Sequence, residues 1–254
     1  MQKFQLSNIL NLIADIGNNS AKFFLFNNDQ IILHTRKVEN PFGIIREWKE
    51  QYSIEHAVVS SVIDLSDEQK EAFNTLGCRT LWFDSNVPTP LKIDYRTPWT
   101  LGSDRLAAAV GAWLQKPGCN ILVIDAGSAV TIDFVDKNGI YHGGNIAPGI
   151  KMRLKALHQF TGRLPYVEKE GDTPVLGYDT TTAIRSGVIR GLAHEIDGYI
   201  EDARTKYGDV AVFLTGGDES PLKDFIGNCI FTDRHLVAKG LNRILQNYDE
   251  QNNE

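Results

Sequence analysis

The sequence predicts an α/β protein of two related lobes, and three observations carry that reading. Apolar runs of strand length alternate with longer helical patterns along the chain. A strand, turn, strand pattern centred on Asp-x-Gly occurs twice, at Asp15 and at Asp125, 110 positions apart and so close to half of the 254 residues. With 42 % apolar and 23 % charged residues, the chain can bury a core, and its length fits one large domain or two small ones. The expected lobes are residues 1–116 and 117–254, with the C-terminal helix able to pack back on the first.

The first hairpin enters through the apolar run Ile9 to Ala14, turns at Asp15-Ile16-Gly17-Asn18-Asn19, and leaves through Phe23 to Phe26. Ala57-Val58-Val59 reads as a short buried strand, and Ser66 to Leu76 as a helix opened by a serine cap and acidic residues. Pro88, Pro90 and Pro98 predict a long loop without regular structure from Asp84 to Pro98. It ends at Gly102-Ser103-Asp104-Arg105. The alanine-rich stretch Leu106 to Leu114 then reads as a buried helix with Ser103 near its N-cap, stopped by Pro117-Gly118.

In the second lobe, Ile121 to Ile124 enters the turn Asp125-Ala126-Gly127-Ser128-Ala129, and Thr131 to Val135 leaves it. Gly143 to Gly149 reads as a glycine-proline turn feeding a helix from about Ile150 to Phe160, followed by a loop-like segment from Thr161 to Tyr178. The longest helical pattern, Thr180 to Tyr207, carries Ile184, Val188, Leu192, Ile196 and Ile200 at spacings of four, which is a core face. Val210 to Leu214 reads as a buried strand ending in Thr215-Gly216-Gly217-Asp218. A helix from about His235 to Tyr248 closes the chain, with Gln251 to Glu254 frayed.

Composition excludes several functions. A formal net charge of −6 offers no global positive field for a nucleic acid. Cys78, Cys119 and Cys229 form no Cys-x-x-Cys pair, which argues against a disulfide scaffold, a zinc knuckle or a dithiol redox site and favours a reducing, cytoplasmic setting. No apolar stretch approaches the roughly 20 residues of a membrane span, and the first ten residues lack a secretory pattern. The six histidines show no metal-binding spacing, and the P-loop, Rossmann and nucleophile-elbow motifs are missing. The four tryptophans read as packing residues, with Trp99 beside the candidate site.

What remains is a constellation suited to polyphosphate. Glycine lets the backbone approach an anion, neighbouring N–H groups and hydroxyls donate to phosphate oxygens, and an aspartate holds the cation that neutralises them. One Asp-x-Gly turn alone is far more often a plain hairpin, since turn chemistry selects those residues anyway. Two at matching positions favour the ligand. The third glycine turn, Thr215 to Asp218, lies where ligands gather in open α/β sheets, although a simple strand-to-helix turn accounts for it too. Asp104 suits the dipole of a first helical turn, whereas Arg105 opposes it and therefore points to an anion or carboxylate from elsewhere.

The ordered set DIGNNSAKFFLF, GSDR, DAGSAVTIDFV, GGNIAPG, TTTAIRSGVIRG and LTGGD, running from Ile13 to Leu241, resembles the type III pantothenate kinases of the acetate and sugar kinase, Hsc70 and actin superfamily. The resemblance implies two ribonuclease H-like lobes with mixed sheets flanked by helices, an active site in the interlobe cleft, and a homodimer. The implied reaction transfers the γ-phosphoryl of ATP to pantothenate, the first step toward coenzyme A, with Mg2+ and a monovalent cation, K+ or NH4+.

Carried over by motif, Asp15, Ile16, Gly17, Asn18, Asn19, Ser20, Ala21 and Lys22 match the first phosphate loop and Ser128 the second. Asp104 matches the acceptor of the pantothenate hydroxyl proton. Gly102, Ser103 and Arg105 match the substrate-binding turn, Tyr95 an upstream aromatic contact, and Thr180 a threonine reaching substrate from the long helix. Asp125 matches the ligand of the monovalent cation. Asn19 departs from the usual threonine, and the residues before Ile9 exceed the family's usual length. The alternatives are a phosphohydrolase of the same superfamily, or a nucleotide-binding regulator of the kind called Bvg accessory factors.

Overall fold

The computed structural model describes residues 10–18, 20–35, 41–228 and 230–252. Ile9 with the segment before it, Asn19, Cys229 and the last two residues therefore lie outside the described residues. The chain falls into two compact units. One comprises Met1–Leu91, Arg96–Gly111 and Val237–Glu254, the other Lys92–Tyr95 and Ala112–Leu236.

In the first unit, β1 (Leu10–Ile16) and β2 (Ala21–Asn27) form the expected hairpin, and β3 (Gln30–His34) extends it. β3 is not anticipated from sequence. Its signal is Asn28, whose positive φ of 52° makes the tight reversal for which asparagine is favoured. After α1 (Gly43–Gln51), β4 (Ile54–Ser61) pairs in parallel with β1, which makes the Ala57 to Val59 run a central strand. α2 (Asp67–Asn74) carries the expected cap: the Ser66 hydroxyl accepts from the Gln69 N–H, and the Gln69 side chain accepts from the Ser66 N–H. β5 (Arg79–Trp82) completes the sheet order β3-β2-β1-β4-β5. Leu12, Phe23, Leu25, Ile45, Trp48 and Phe73 pack as one cluster, so α1 and α2 cover one face of this sheet.

The loop from Asp84 to Pro98 is not wholly irregular. β6 (Lys92–Ile93) pairs with a later strand through Lys92 N–H donating to the Gly139 carbonyl and Asp94 N–H to the Tyr141 carbonyl. This short edge strand lies between the prolines, so no ladder bond is lost. A single 3-10 turn, Pro98–Thr100, precedes α3 (Ser103–Gln115). Trp82 and Trp99, expected as packing residues, are exposed, Trp99 at 71 %.

The second unit repeats the first. β7 (Asn120–Ala126) and β8 (Ala129–Val135) form the second hairpin, followed by β9 (Ile140–Pro148), α4 (Ile150–Gln159), α5 (Thr180–Tyr207), β10 (Val210–Thr215), α6 (Glu219–Lys223) and β11 (Phe231–Thr232). The sheet order β11-β10-β7-β8-β9-β6 is that of the first sheet read in reverse, with β6 added at the edge. Pair orientations match as well: β1 and β7 each meet one antiparallel and one parallel neighbour.

The stretch from Gly143 expected as a glycine-proline turn is a strand as far as Pro148, and only Gly149 remains as the cap that leads into α4. Gly144 lies so near the Ile132 carbonyl that a β-carbon would overlap it, and Gly143 adopts φ 97° beside a register shift, so these glycines mark close strand approach and a bulge. Thr161 to Tyr178 contains no helix or strand, but Arg185 of α5 donates to the Glu168 and Asp172 carbonyls and Arg190 to the Thr173 carbonyl, which ties the segment to that helix. The five apolar residues of α5 named above are all buried against β7, β8 and β10. The closing helix, α7 (Leu236–Asn252), extends past the expected end and through Gln251. It belongs to the first unit, where Asn11 donates to the Asn242 side chain at 2.9 Å and Gly240 meets the Ala107 backbone of α3 with no room for a β-carbon.

Candidate active site

Asp15 stands at the C-terminal end of β1, in register with Lys22 across the hairpin and with Ser60 on β4. The turn between them is closed by Gly17 N–H donating to the Ser20 carbonyl at 2.9 Å, while Asn18 and Ser20 are exposed. Ile16 is a core residue whose carbonyl accepts from the Val62 N–H, and Ala21 packs against the same core. The Asp15 side chain is only 15 % exposed and lies 3.7 Å from the Lys22 Nζ. Burial pushes its carboxyl above the ordinary value, Lys22 pulls it back, and the Asp104 charge pushes it up again. Two carboxylates thus share one electrostatic neighbourhood, which a bound cation would relieve.

Asp104 reaches that neighbourhood from the first turn of α3. Its Oδ1 accepts from the Arg105 N–H at 2.8 Å, which folds the carboxylate back on its own turn. Gly102 makes room for this: a β-carbon there would lie 2.6 Å from Oδ1. Ser103 is hydrogen-bonded through Oγ to the Ser60 Oγ at 2.8 Å, and the Arg105 side chain is buried. Asp15, Lys22, Ser103 and Asp104 therefore come together within one unit.

The second unit builds an analogous turn. Asp125 ends β7 in register with Thr131 on β8 and Thr215 on β10. Gly127 N–H donates to the Ala129 carbonyl, and Gly149 N–H to the carbonyl of the exposed Ser128 at 3.2 Å. A β-carbon on Gly149 would lie 2.2 Å from the Gly127 carbonyl oxygen, so the turn after β9 seats directly on the hairpin. From the other side, Asp218 N–H donates to the Ala126 carbonyl, and Gly216 at φ 100° faces the Ala126 carbonyl and Asp125 Oδ1, 2.4 and 2.5 Å from where its β-carbon would sit. Lys169 pairs with Asp218 at 2.5 Å.

Tyr95 follows β6 and packs edge-on against Tyr141, with ring centroids 6.3 Å apart, over a β-carbon-free surface at Gly143. The Tyr141 hydroxyl donates to the buried Asp133 at 2.6 Å. Thr180 is the exposed first residue of α5, next to the capping Asp179, whose carboxylate accepts from the Thr182 N–H at 2.7 Å. Ser60 and Lys169, which sequence reasoning did not single out, and Thr215, which it weighed only as part of a glycine turn, lie beside Asp15, Asp218 and Asp125 respectively. Only Thr215 left a local signal, as the start of a glycine turn.

Among the described residues no group of three or more His, Cys, Asp or Glu is placed to hold a metal ion by itself. The donors present still fit hard cations that a bound phosphate would help to hold. Mg2+ is usually held by one or two carboxylates plus substrate phosphates, and Asp15, whose charge is felt together with that of Asp104, is a carboxylate of that kind. At Asp125, the carboxylate and the neighbouring Ala126 carbonyl both face Gly216, and hard oxygen donors are the type that alkali and alkaline-earth ions take.

Comparison with known proteins gives the family of the chain. A relative from Bacteroides fragilis named type III pantothenate kinase is 49 % identical over 240 residues, spanning 94 % of this chain and 98 % of its own. Other relatives down to 35 % identity bear the same name. Among solved structures, the activator of 2-hydroxyisocaproyl-CoA dehydratase from Clostridium difficile with bound ADPNP superposes with a TM-score of 0.54 at 11 % identity, covering 96 % of this chain and 97 % of its own. A chain described as a Baf family transcriptional activator from Campylobacter jejuni gives 0.58 at 24 % identity, covering 94 % and 99 %. At such identities these two show the fold alone. The sequence model of the type III pantothenate kinase family matches residues 11–202, and this chain belongs to that family.

Proposed function

We propose that this protein transfers the γ-phosphoryl group of ATP to the primary hydroxyl of pantothenate, giving 4'-phosphopantothenate. The observation that carries this reading is the pairing of Asp104, folded back on the first turn of a buried helix, with Asp15 at the end of a phosphate-loop hairpin. Phosphoryl transfer through a loose transition state needs alignment and charge neutralisation more than a strong base. Asp104 orients the pantothenate hydroxyl and takes its proton late. Gly102 and Ser103 shape the turn that receives the substrate, the Arg105 guanidinium holds it, and Tyr95 and Thr180 contact it.

The loop of Asp15, Gly17, Asn18, Asn19, Ser20 and Lys22 binds the nucleotide phosphates through backbone N–H groups and side chains, with Ser128 donating from the second hairpin. Asp15 would hold Mg2+, which supplies neutralisation of the phosphate charge. Asp125 would hold the monovalent cation, K+ or NH4+. A homodimer is part of the same reading, supported by the exposed apolar residues Phe160, Val175, Leu176 and Tyr178, which a partner copy would cover. No described helix is long and apolar enough to cross a membrane. We place the enzyme in the cytoplasm on its cysteine usage.

ATP turnover measured with and without pantothenate, and with and without K+, tests donor, acceptor and ion together. Pantothenate-dependent ADP release that rises with K+ is expected. Phosphate release without pantothenate would identify a phosphohydrolase, and nucleotide binding without turnover a regulator.

A further inference from the structure

We propose that Ser60 is a positioning residue for Asp104: its buried hydroxyl fixes the first turn of α3 through Ser103 and so sets where the Asp104 carboxylate stands relative to Asp15. The inference rests on the reading of Asp104 given above.

Ser60 interrupts an apolar strand. Ala57, Val58 and Val59 precede it as core residues, and at the next position the strand places a hydroxyl only 1 % exposed. A buried hydroxyl is costly unless it is hydrogen-bonded, and its partner here is the Ser103 Oγ at 2.8 Å, 43 residues away in sequence. Ser60 also stands in parallel register with Asp15, and registered residues of neighbouring strands project to the same face of the sheet. One residue on β4 is therefore beside the Asp15 side chain and bonded to the helix turn that carries Asp104.

The need for such a tether follows from the local chemistry. One oxygen of Asp104 is committed to the Arg105 N–H, so the carboxylate moves with its turn rather than swinging independently. That turn follows the loop containing Pro88, Pro90 and Pro98 and a single 3-10 turn, and the Ser60 to Ser103 bond links the start of α3 directly to β4, the parallel neighbour of the strand that carries Asp15. The second unit repeats the placement: Thr215, a hydroxyl residue 2 % exposed, occupies the same register position beside Asp125.

Steady-state kinetics on Ser60→Ala, alone and combined with Asp104→Asn, tests the proposal. A displacement of about 1 Å at a reacting group can cost about 10²-fold, so a kcat loss of about 10- to 100-fold is expected with the KM for ATP nearly unchanged. Asp104→Asn should cost less kcat in the Ser60→Ala background than in the native one, because the carboxylate is already misplaced; a purely structural serine would leave that cost the same. Ser60→Cys keeps the side-chain size with a weaker hydrogen bond and should fall between the two, and it serves if the alanine variant fails to fold. Native kcat in the folded variant, or equal Asp104→Asn costs in both backgrounds, overturns the proposal. An absence of pantothenate-dependent turnover in the native enzyme would instead overturn the reading beneath it.

Discussion

A β-carbon on Gly102 would stand 2.6 Å from the Oδ1 of Asp104, its nearest obstacle, so this glycine is required by a carboxylate rather than by its backbone. Its φ lies outside the left-handed region. Gly102→Ala should therefore cost little stability, because the tip of a side chain can move aside. Moving it breaks the bond from the Arg105 N–H and displaces the proton acceptor. The expected outcome is a kcat reduced by about 10-fold or more with a nearly native melting temperature, measured by coupled ADP assay and thermal denaturation.

Asp104→Asn keeps the shape of the side chain and removes its basicity. General acid–base groups contribute about 10²- to 10⁴-fold, and a kcat loss in that range is expected with ATP affinity retained. Titration calorimetry with nucleotide separates the two quantities. An unchanged kcat removes Asp104 from the role.

The raised carboxyl of Asp15 carries a stability cost of defined sign. Its folded pKa lies above the ordinary 3.8, so the folded state binds the proton more tightly than the unfolded chain. Ionisation then lowers stability as pH rises from the ordinary value through the raised one, and the cost is fully present above that window. Asp15→Asn should melt higher than the native protein at neutral pH without ligand, with the difference vanishing below about pH 3.8. Adding Mg2+-ATP should reverse the order, because only the native carboxylate gains from the cation. A variant that melts lower at neutral pH without ligand would show that Lys22 dominates instead.

Gly216 and Gly217 are adjacent but should respond differently. Gly216 combines φ 100° with a β-carbon position 2.4 Å from the Ala126 carbonyl oxygen, whereas nothing lies within 4 Å of the corresponding position at Gly217. Gly216→Ala is expected to lose about 1–3 kcal/mol from backbone strain alone and to disturb Asp125. Gly217→Ala should leave stability near native. Chemical denaturation of the two variants measures the contrast, and equal losses would contradict this account of the turn.

Features that depend on neighbours in the chain were legible before any folding was considered. The Ser66 capping box, the four-residue spacing along α5 and the paired hairpins at Asp15 and Asp125 each arise from contacts within a few residues, so their letters specify them. The shared strand order of the two sheets follows from the same repetition. Where glycine served as punctuation the reading went astray: Gly143 and Gly144 sit within a strand because a neighbouring chain leaves no space for side chains, and that neighbour is invisible locally. The short β6 and β11 carry too few residues to show a period.

By itself the sequence determined the duplicated hairpins, the long core helix and the family to which the ordered motifs belong, because local spacing and residue type suffice for each. The tertiary structure alone decided that Ser60 meets Ser103, that Asp104 loads its charge onto Asp15, and that Lys169 pairs with Asp218. Those contacts join residues tens of positions apart, and what brings such residues within bonding distance is strand register and the seating of helices on a sheet, which a linear pattern does not encode.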